Sequence, residues 1–253
     1  MSSLTCKSIS VCWLGNAGWQ LTIGNLILLI DPDLEVGPHR KVLPADPDRF
    51  LQNADAVLVT HEHGDHFNRP TIEQLLINTD CQFVLPASCL YEAGKMGIPE
   101  KRILVAHHGR TMQLFGSDLT VTPVPAVHGA PFGAVYKDGN RADCGYIISA
   151  SGLTLFHPGD TILMEEHFFL PKIDILMISP TEHNTNVLQS TTLARQLNPQ
   201  HIFPQHRDTY VVTPENSFWT QAYDKELKMA LGEEFASRYH TLEQGVVFDI
   251  DCI

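Results

Sequence analysis

Long apolar runs are missing from this sequence. The longest candidate, Leu26 to Ile30, stops at Asp31, far short of the roughly 20 residues a membrane-spanning helix needs. The N-terminus lacks a basic start followed by an apolar core, so no secretory signal is expected. Cysteine is unpatterned: Cys6, Cys12, Cys81, Cys89, Cys144 and Cys252 show no C-x-x-C spacing. They read as reduced thiols of a cytoplasmic protein, most of them small buried hydrophobes. Positive charge is also short, with 17 Lys and Arg against 29 Asp and Glu and a formal net charge of −12. A field of that sign repels polyanions, so nucleic acid is not an expected partner. A small-molecule substrate is expected, and an anionic one stays open because a bound divalent cation inverts the local potential. No linker, low-complexity tract or short-period repeat divides the chain, so one domain over 1–253 is expected, and a homo-oligomer stays open.

What is present begins with many short β-like runs. Ile9–Trp13, Gln20–Ile23 and Leu26–Ile30 come first, punctuated by Gly15, Gly18 and Gly24-Asn25. Ala56–Thr60 is a continuous apolar run of the kind buried on both faces of a sheet. Further strands are expected at Gln82–Leu85, Ile103–Val105, Leu119–Val124, Gly145–Ser149, Leu153–Phe156, Ile175–Ile178, His201–Phe203 and Val246–Ile250. Helices are expected at Pro70–Ile77, Ser88–Met96, Ser190–Leu197 (capped by Ser190) and Pro214–Leu231, the last started by Thr213-Pro214-Glu215. Helices lying between strands in both halves point to one α/β domain with helix-covered sheets.

The most informative residues are His61-Glu62-His63-Gly64-Asp65-His66, directly after the Ala56–Thr60 run. Three imidazoles and a carboxylate on one turn repel and desolvate one another, which serves packing poorly. A divalent cation, or two, replacing the lost water makes sense of them. His128, Asp160 and His206 follow, each after a strand candidate, as if strand ends delivered them to one sheet edge. Taken singly, each of these three is also an ordinary strand-end polar residue. His107, His108 and His157 read as structural or surface residues, and nothing singles out His39, His167, His201 or His240.

This ordered set, from Trp13 to about His206, resembles the metallo-β-lactamase superfamily. The resemblance implies an α/β four-layer αββα sandwich. It places His61, His63 and His128 on one metal and Asp65, His66 and His206 on a second, with Asp160 bridging. It makes Asp31, in Leu29-Ile30-Asp31-Pro32, an outer residue that orients the histidine loop. Gly64 is expected to let the backbone turn between ligands. The implied cofactors are two divalent ions, zinc or manganese, and the implied nucleophile is a metal-bridging hydroxide.

Within the superfamily several branches fit poorly. The flavodiiron enzymes carry Glu where this chain has His63. The glyoxalase II branch continues the motif with a glycine pair, whereas Phe67-Asn68-Arg69 follows here. The secreted β-lactamases use a metal-binding Cys, and the tRNA 3′-processing branch needs polyanion affinity. The segments Trp13-Leu14-Gly15, Val59–Phe67 and His157-Pro158-Gly159-Asp160-Thr161 look most like the ascorbate-6-phosphate lactonase-like branch, although no phosphate cradle is visible. The implied reaction is hydrolysis of a lactone or ester of a small polar metabolite, with Asp65 passing a proton to the leaving group. The alternatives are a metal-dependent phosphodiesterase, including a type like N-acyl-phosphatidylethanolamine phospholipase D, an iron-dependent oxygenase and a non-catalytic metal-binding protein. The polar stretch Ser179–Asn186 either lines the pocket or is a solvated loop; His183 is its preferred substrate or proton-transfer contact. Arg207 either meets an anionic group or lies on the surface. Lys137–Arg141 reads as a hairpin turn, and Phe218-Trp219-x-x-x-Tyr223 as a core-facing stripe, a lid or a subunit interface.

Overall fold

The computed structural model describes residues 8–37, 39–130, 134–135 and 141–251. The expected turn at 137–140 and the thiols of Cys6 and Cys252 lie outside the described residues. In chain order the strands are β1 (Ser8–Gly15), β2 (Gly18–Ile23), β3 (Leu26–Ile30), β4 (Ala56–Leu58), β5 (Gln82–Pro86), β6 (Ile103–Ala106), β7 (Met112–Gln113) and β8 (Thr120–Pro125). They continue as β9 (Gly129–Ala130), β10 (Ala134–Val135), β11 (Cys144–Ala150), β12 (Leu153–His157), β13 (Ile175–Ile178), β14 (His201–Pro204) and β15 (Val247–Asp251). The helices are α1 (Arg69–Asn78), α2 (Leu90–Lys95), α3 (Val187–Leu197), α4 (Ser217–Thr220), α5 (Asp224–Leu231) and α6 (Glu233–Ala236).

β9 and β10 pair as a two-stranded antiparallel ribbon, and the other strands form a seven-stranded sheet, β15-β1-β2-β3-β4-β5-β6, and a six-stranded sheet, β14-β13-β12-β11-β8-β7. Each sheet joins an antiparallel half to a parallel half. In the first, β3 to β6 run parallel and are linked through α1 and α2. In the second, β12, β13 and β14 run parallel, with α3 as the crossover between β13 and β14. Parallel neighbours require such crossovers.

Alternation along each strand sorts the apolar side chains into three layers. Leu28, Ile30 and Leu58 of the first sheet meet Tyr146, Leu155, Ile175 and Met177 of the second in the middle. Leu29, Val57 and Phe83 point outward onto Ile72 and Leu75 of α1. On the other side, Leu176 and Ile178 meet Leu193 of α3 and Leu227 of α5. This is the helix–sheet–sheet–helix sandwich expected, and it explains why runs such as Ile175–Ile178 are apolar without a break. No helix among the described residues is long and apolar enough to cross a membrane.

Several local expectations are corrected. The helix expected from Ser190 starts a turn earlier. Asn186 caps it, its Oδ1 accepting from Gln189 N at 3.1 Å, while Ser190 lies inside and donates to Thr185 O at 2.6 Å. The helix expected over Pro214–Leu231 is broken into α4 and α5 at residues 221–223. There Tyr223 N donates to Pro180 O at 2.8 Å rather than back into the helix. The carbonyls this frees at Phe218 and Trp219 serve the site described next. The expected Ser88–Met96 helix is a short 3₁₀ turn, Ala87–Cys89, followed by α2.

Candidate metal centre

All seven residues expected to bind metal converge at one end of the sandwich, where loops of both sheets meet. The first loop leaves β4 and is pinned by Asp31, at the end of β3. Asp31 Oδ1 accepts from Thr60 N at 2.8 Å, and Oδ2 accepts from Thr60 Oγ1 at 2.6 Å and from His66 Nδ1 at 2.7 Å. Thr60 Oγ1, its own proton given to Asp31, is left to accept from His61 Nδ1 at 3.0 Å. These bonds orient both imidazoles, with Nδ1 held by the loop and Nε2 turned toward the cluster. The turn itself is closed by His63 O, which accepts from His66 N at 3.0 Å and Phe67 N at 2.7 Å. Gly64 is not what permits it: its φ is not left-handed, and a Cβ there would meet nothing within 4 Å.

The second sheet supplies the rest. His128 follows β8 and its Nδ1 donates to Gly129 O at 2.7 Å. Asp160 follows β12, after Gly159 at φ +67, where a Cβ would lie 3.0 Å from Thr60 Cβ. His206 follows β14 in a left-handed conformation, φ 57. Asp160 sits at the hub: its carboxylate oxygens lie 2.7 Å from His183 Nε2, 2.8 Å from His206 Nε2, and 3.5 Å from both His66 Nε2 and His128 Nε2. Potential ligand atoms of His61, His63 and His128 fall within 4.8 Å of one another, as do those of His61, His66 and Asp160, and those of His128, Asp160 and His183. Asp65 Oδ2 lies 3.7 Å from His66 Nε2.

His183 comes from the Ser179–Asn186 stretch, which is mostly buried rather than a solvated loop: Ser179, Thr181, His183, Asn184 and Thr185 are all inside. Its ring is held on the far side by Phe218 O at 3.1 Å, as His206 Nδ1 is by Trp219 O at 3.3 Å. These are the carbonyls released by the break after α4.

Burial, helped by the neighbouring His66, holds the His61 imidazole well below its ordinary value. Burial also lowers His128 to about 4. Burial works against His66 too, but the Asp160, Asp31 and Asp65 carboxylates outweigh it and hold that ring well above its ordinary value. Asp160, which burial alone would raise, is held well below the carboxylate range by His206, His66 and His183. Asp65 is lowered against burial by His66 and His206. Such opposed shifts within one cluster are characteristic of functional sites. The His61 Nε2 and His66 Nε2 atoms are buried with no hydrogen-bond partner. An orphaned pair of imidazole nitrogens beside a carboxylate hub fits divalent cations in chemistry and in placement.

The cluster opens into a cavity of about 290 Å³ lined by His63, Asp65, His128, Asp160, His183, Phe218 and Trp219. A larger cavity of about 550 Å³ adjoins it, sharing Gly64, Asp65 and Trp219 and adding Asp33, Glu35, Arg40, Asn68 and Tyr210. Arg40 is the one Lys or Arg lining either cavity among the described residues. Its guanidinium is consumed by the protein, donating to Asp33 O at 2.6 Å, Leu14 O at 2.8 Å and Val42 O at 2.9 Å and pairing with Asp33.

Sequence reasoning missed Asn16, Thr60, Asn184 and the cavity wall formed by Asp33 and Tyr210. Their neighbours in sequence signal only turns or strand ends. Arg207 is neither a surface residue nor a lining of these two cavities. It is buried, stacked 4.2 Å over the Trp13 ring, and it donates to Leu242 O. The aromatic pair Phe218 and Trp219 forms cavity wall rather than a core stripe, and Tyr223 turns away to Glu182 at 3.0 Å. Cys12, Cys81, Cys89 and Cys144 are free and buried. His157 is structural, its Nε2 donating to Ala17 O at 3.0 Å.

Residues 10–206 match the β-lactamase superfamily domain. A metal-dependent hydrolase of Hyperthermus butylicus is 26% identical over 225 residues, covering 87% of this chain and 92% of that protein. Igni18, a metallo hydrolase of Ignicoccus hospitalis, has a similar structure, with TM-score 0.75 and 20% identity over 96% of this chain and 99% of that one. An isothiocyanate hydrolase from Delia radicum gut bacteria shares the fold with TM-score 0.74 and 15% identity, over 96% and 99% of the two chains.

Proposed function

Because this chain belongs to the β-lactamase superfamily, we propose that it is a metal-dependent hydrolase that opens a lactone or ester of a small polar metabolite at a dinuclear centre. The observation that carries this reading is the pair of buried, partnerless nitrogens, His61 Nε2 and His66 Nε2, beside Asp160. His61, His63 and His128 would hold one cation and Asp65, His66 and His206 the other, with Asp160 between them. Zinc and manganese both suit imidazole and carboxylate donors. When bound, such a pair supplies acidified water as nucleophile and positive charge for the developing oxyanion.

The chain's own groups do the rest. Asp31 and Thr60 fix the tautomers of His66 and His61. Asp65, which lines both cavities, would carry a proton to the leaving group. His183, on the wall of the smaller cavity, would touch the substrate beside the reacting bond. Phe218 and Trp219 shed water from that wall. The lactonase-like resemblance supports the reaction class, but not the phosphate of a phosphosugar: Arg40 spends most of its donors on Asp33, Leu14 and Val42, and Asp33 and Glu35 would repel an anion. Non-phosphorylated lactones and esters are therefore the expected substrates.

The test is metal-stripped protein reloaded separately with manganese and zinc, then assayed on matched sugar lactones and phosphodiesters. Metal-dependent lactone or ester opening without phosphodiester cleavage is expected. Phosphodiester cleavage alone would overturn the acyl assignment, and oxygen uptake with bound iron would overturn hydrolysis.

A further inference from the structure

Asn16 sits between β1 and β2, distant in sequence from every residue of the cluster, yet it touches two of them. It is 1% exposed and left-handed, with φ 47. Its side-chain Nδ2 donates to Asp65 Oδ2 at 2.9 Å, and its main-chain oxygen accepts from His206 N at 2.9 Å. Its own N donates to Thr209 Oγ1 at 2.6 Å, anchoring the turn to the segment that follows His206. One residue of the first sheet's hairpin thus holds a ligand from the β4 loop and a ligand from the β14 loop.

The amide's orientation has only one solution. Asp65 presents acceptors, its carboxylate and its main-chain oxygen, so the Asn16 NH₂ must face them. The opposite atom, Asn16 Oδ1, is left buried without a partner. A turn asparagine with no other duty ordinarily uses that oxygen to accept a nearby N–H. Here the oxygen is left unmet while the NH₂ is committed to Asp65. His206 is left-handed as well, and its N–H is tied to Asn16, so the ring's approach to Asp160 depends on that bond.

We propose that Asn16 is a positioning residue for one half of the centre, the Asp65–His66–His206 half, and leaves the His61–His63–His128 half alone. The inference rests on the dinuclear reading above. Its test is calorimetric titration of metal-stripped protein with zinc, in wild type, N16G and T209V. Glycine keeps the left-handed turn and its main-chain bonds and removes only the side chain. Wild type should bind two cations. N16G should keep the first with unchanged Kd and bind the second about 10–100-fold more weakly. T209V, which removes the anchor of Asn16 N, should shift the second site in the same direction. Circular dichroism checks folding, and T209V decides the matter if N16G does not fold. Unchanged affinity at both sites in the variants, or equal loss at both in folded protein, would overturn the role of Asn16. A wild type that takes up fewer than two cations would instead sink the dinuclear reading, and would do so before any variant is compared.

Discussion

Asp31 holds the histidine loop from behind through three hydrogen bonds. Buried at the end of β3, it accepts from Thr60 and from His66 Nδ1, and the Thr60 hydroxyl passes the orientation on to His61. Asp31→Asn keeps the shape but places an NH₂ against one of these donors, so divalent affinity should fall about 10–100-fold. Competition with a chromophoric chelator measures this, and wild-type affinity in the folded variant would confine Asp31 to the fold. The same contacts set a proton count. His66 is held above its ordinary value by Asp160, Asp31 and Asp65, so in metal-free protein it carries a proton through neutral pH. That proton must leave before Nε2 can bind a cation, whereas His61 and His128, both lowered by burial, have none to give. Metal uptake at pH 7 should therefore release about one proton from this ring, and affinity should climb with pH until the raised value is passed. Calorimetry in buffers of different ionisation heat reads the count; zero release would contradict a charged His66.

Between elements the tightest constraint is Gly129 of β9. A Cβ there would lie 2.2 Å from His183 O and 2.7 Å from Ile162 Cγ2. Gly129→Ala must push the 179–186 loop away and pull His183 from Asp160. Turnover should fall more than tenfold with the fold intact, whereas Gly64→Ala, which meets nothing, should leave stability unchanged. Equal melting and equal turnover for both variants would show that the His183 loop tolerates displacement. The contrast also marks what sequence reveals about elements. Runs such as Leu26–Ile30 and Ile175–Ile178 were legible because continuous apolarity has few uses other than a strand buried on both faces. The break after α4 was not legible, because Thr213-Pro214-Glu215 and the aromatic spacing satisfy every local rule for a longer helix. What ends it is the demand of two imidazoles for the Phe218 and Trp219 carbonyls, which exists only once the chain is folded. Gly64 looked like a turn glycine by its place between ligands, yet Gly129, without such a setting, is the one whose hydrogen matters.

At the scale of the molecule, the seven metal-binding candidates were legible because imidazole and carboxylate clustering is hard to explain otherwise, and their order along the chain followed strand ends. Their meeting across two sheets, with Asn16 reaching in from yet another loop, depends on register that no short spacing encodes. Burial at this scale also has a cost that pH exposes. His167 is fully buried, packed 5.8 Å from the Phe156 ring, its Nδ1 accepting from Met164 N at 3.2 Å and its Nε2 without a partner. Burial lowers it from 6.5 to about 4. Between those values the unfolded chain takes up a proton that the native ring refuses, so native stability falls as pH falls. At roughly 1.4 kcal/mol per pH unit, this one ring removes roughly 2 kcal/mol between pH 7 and pH 5. His167→Asn keeps an acceptor for Met164 N and does not titrate. Urea unfolding of metal-stripped wild type and variant at both pH values should therefore show the variant losing less stability on acidification, by roughly that amount. Since both proteins retain the same lowered His61 and His128, an identical loss in the two would mean that the native state accommodates a charged His167 after all.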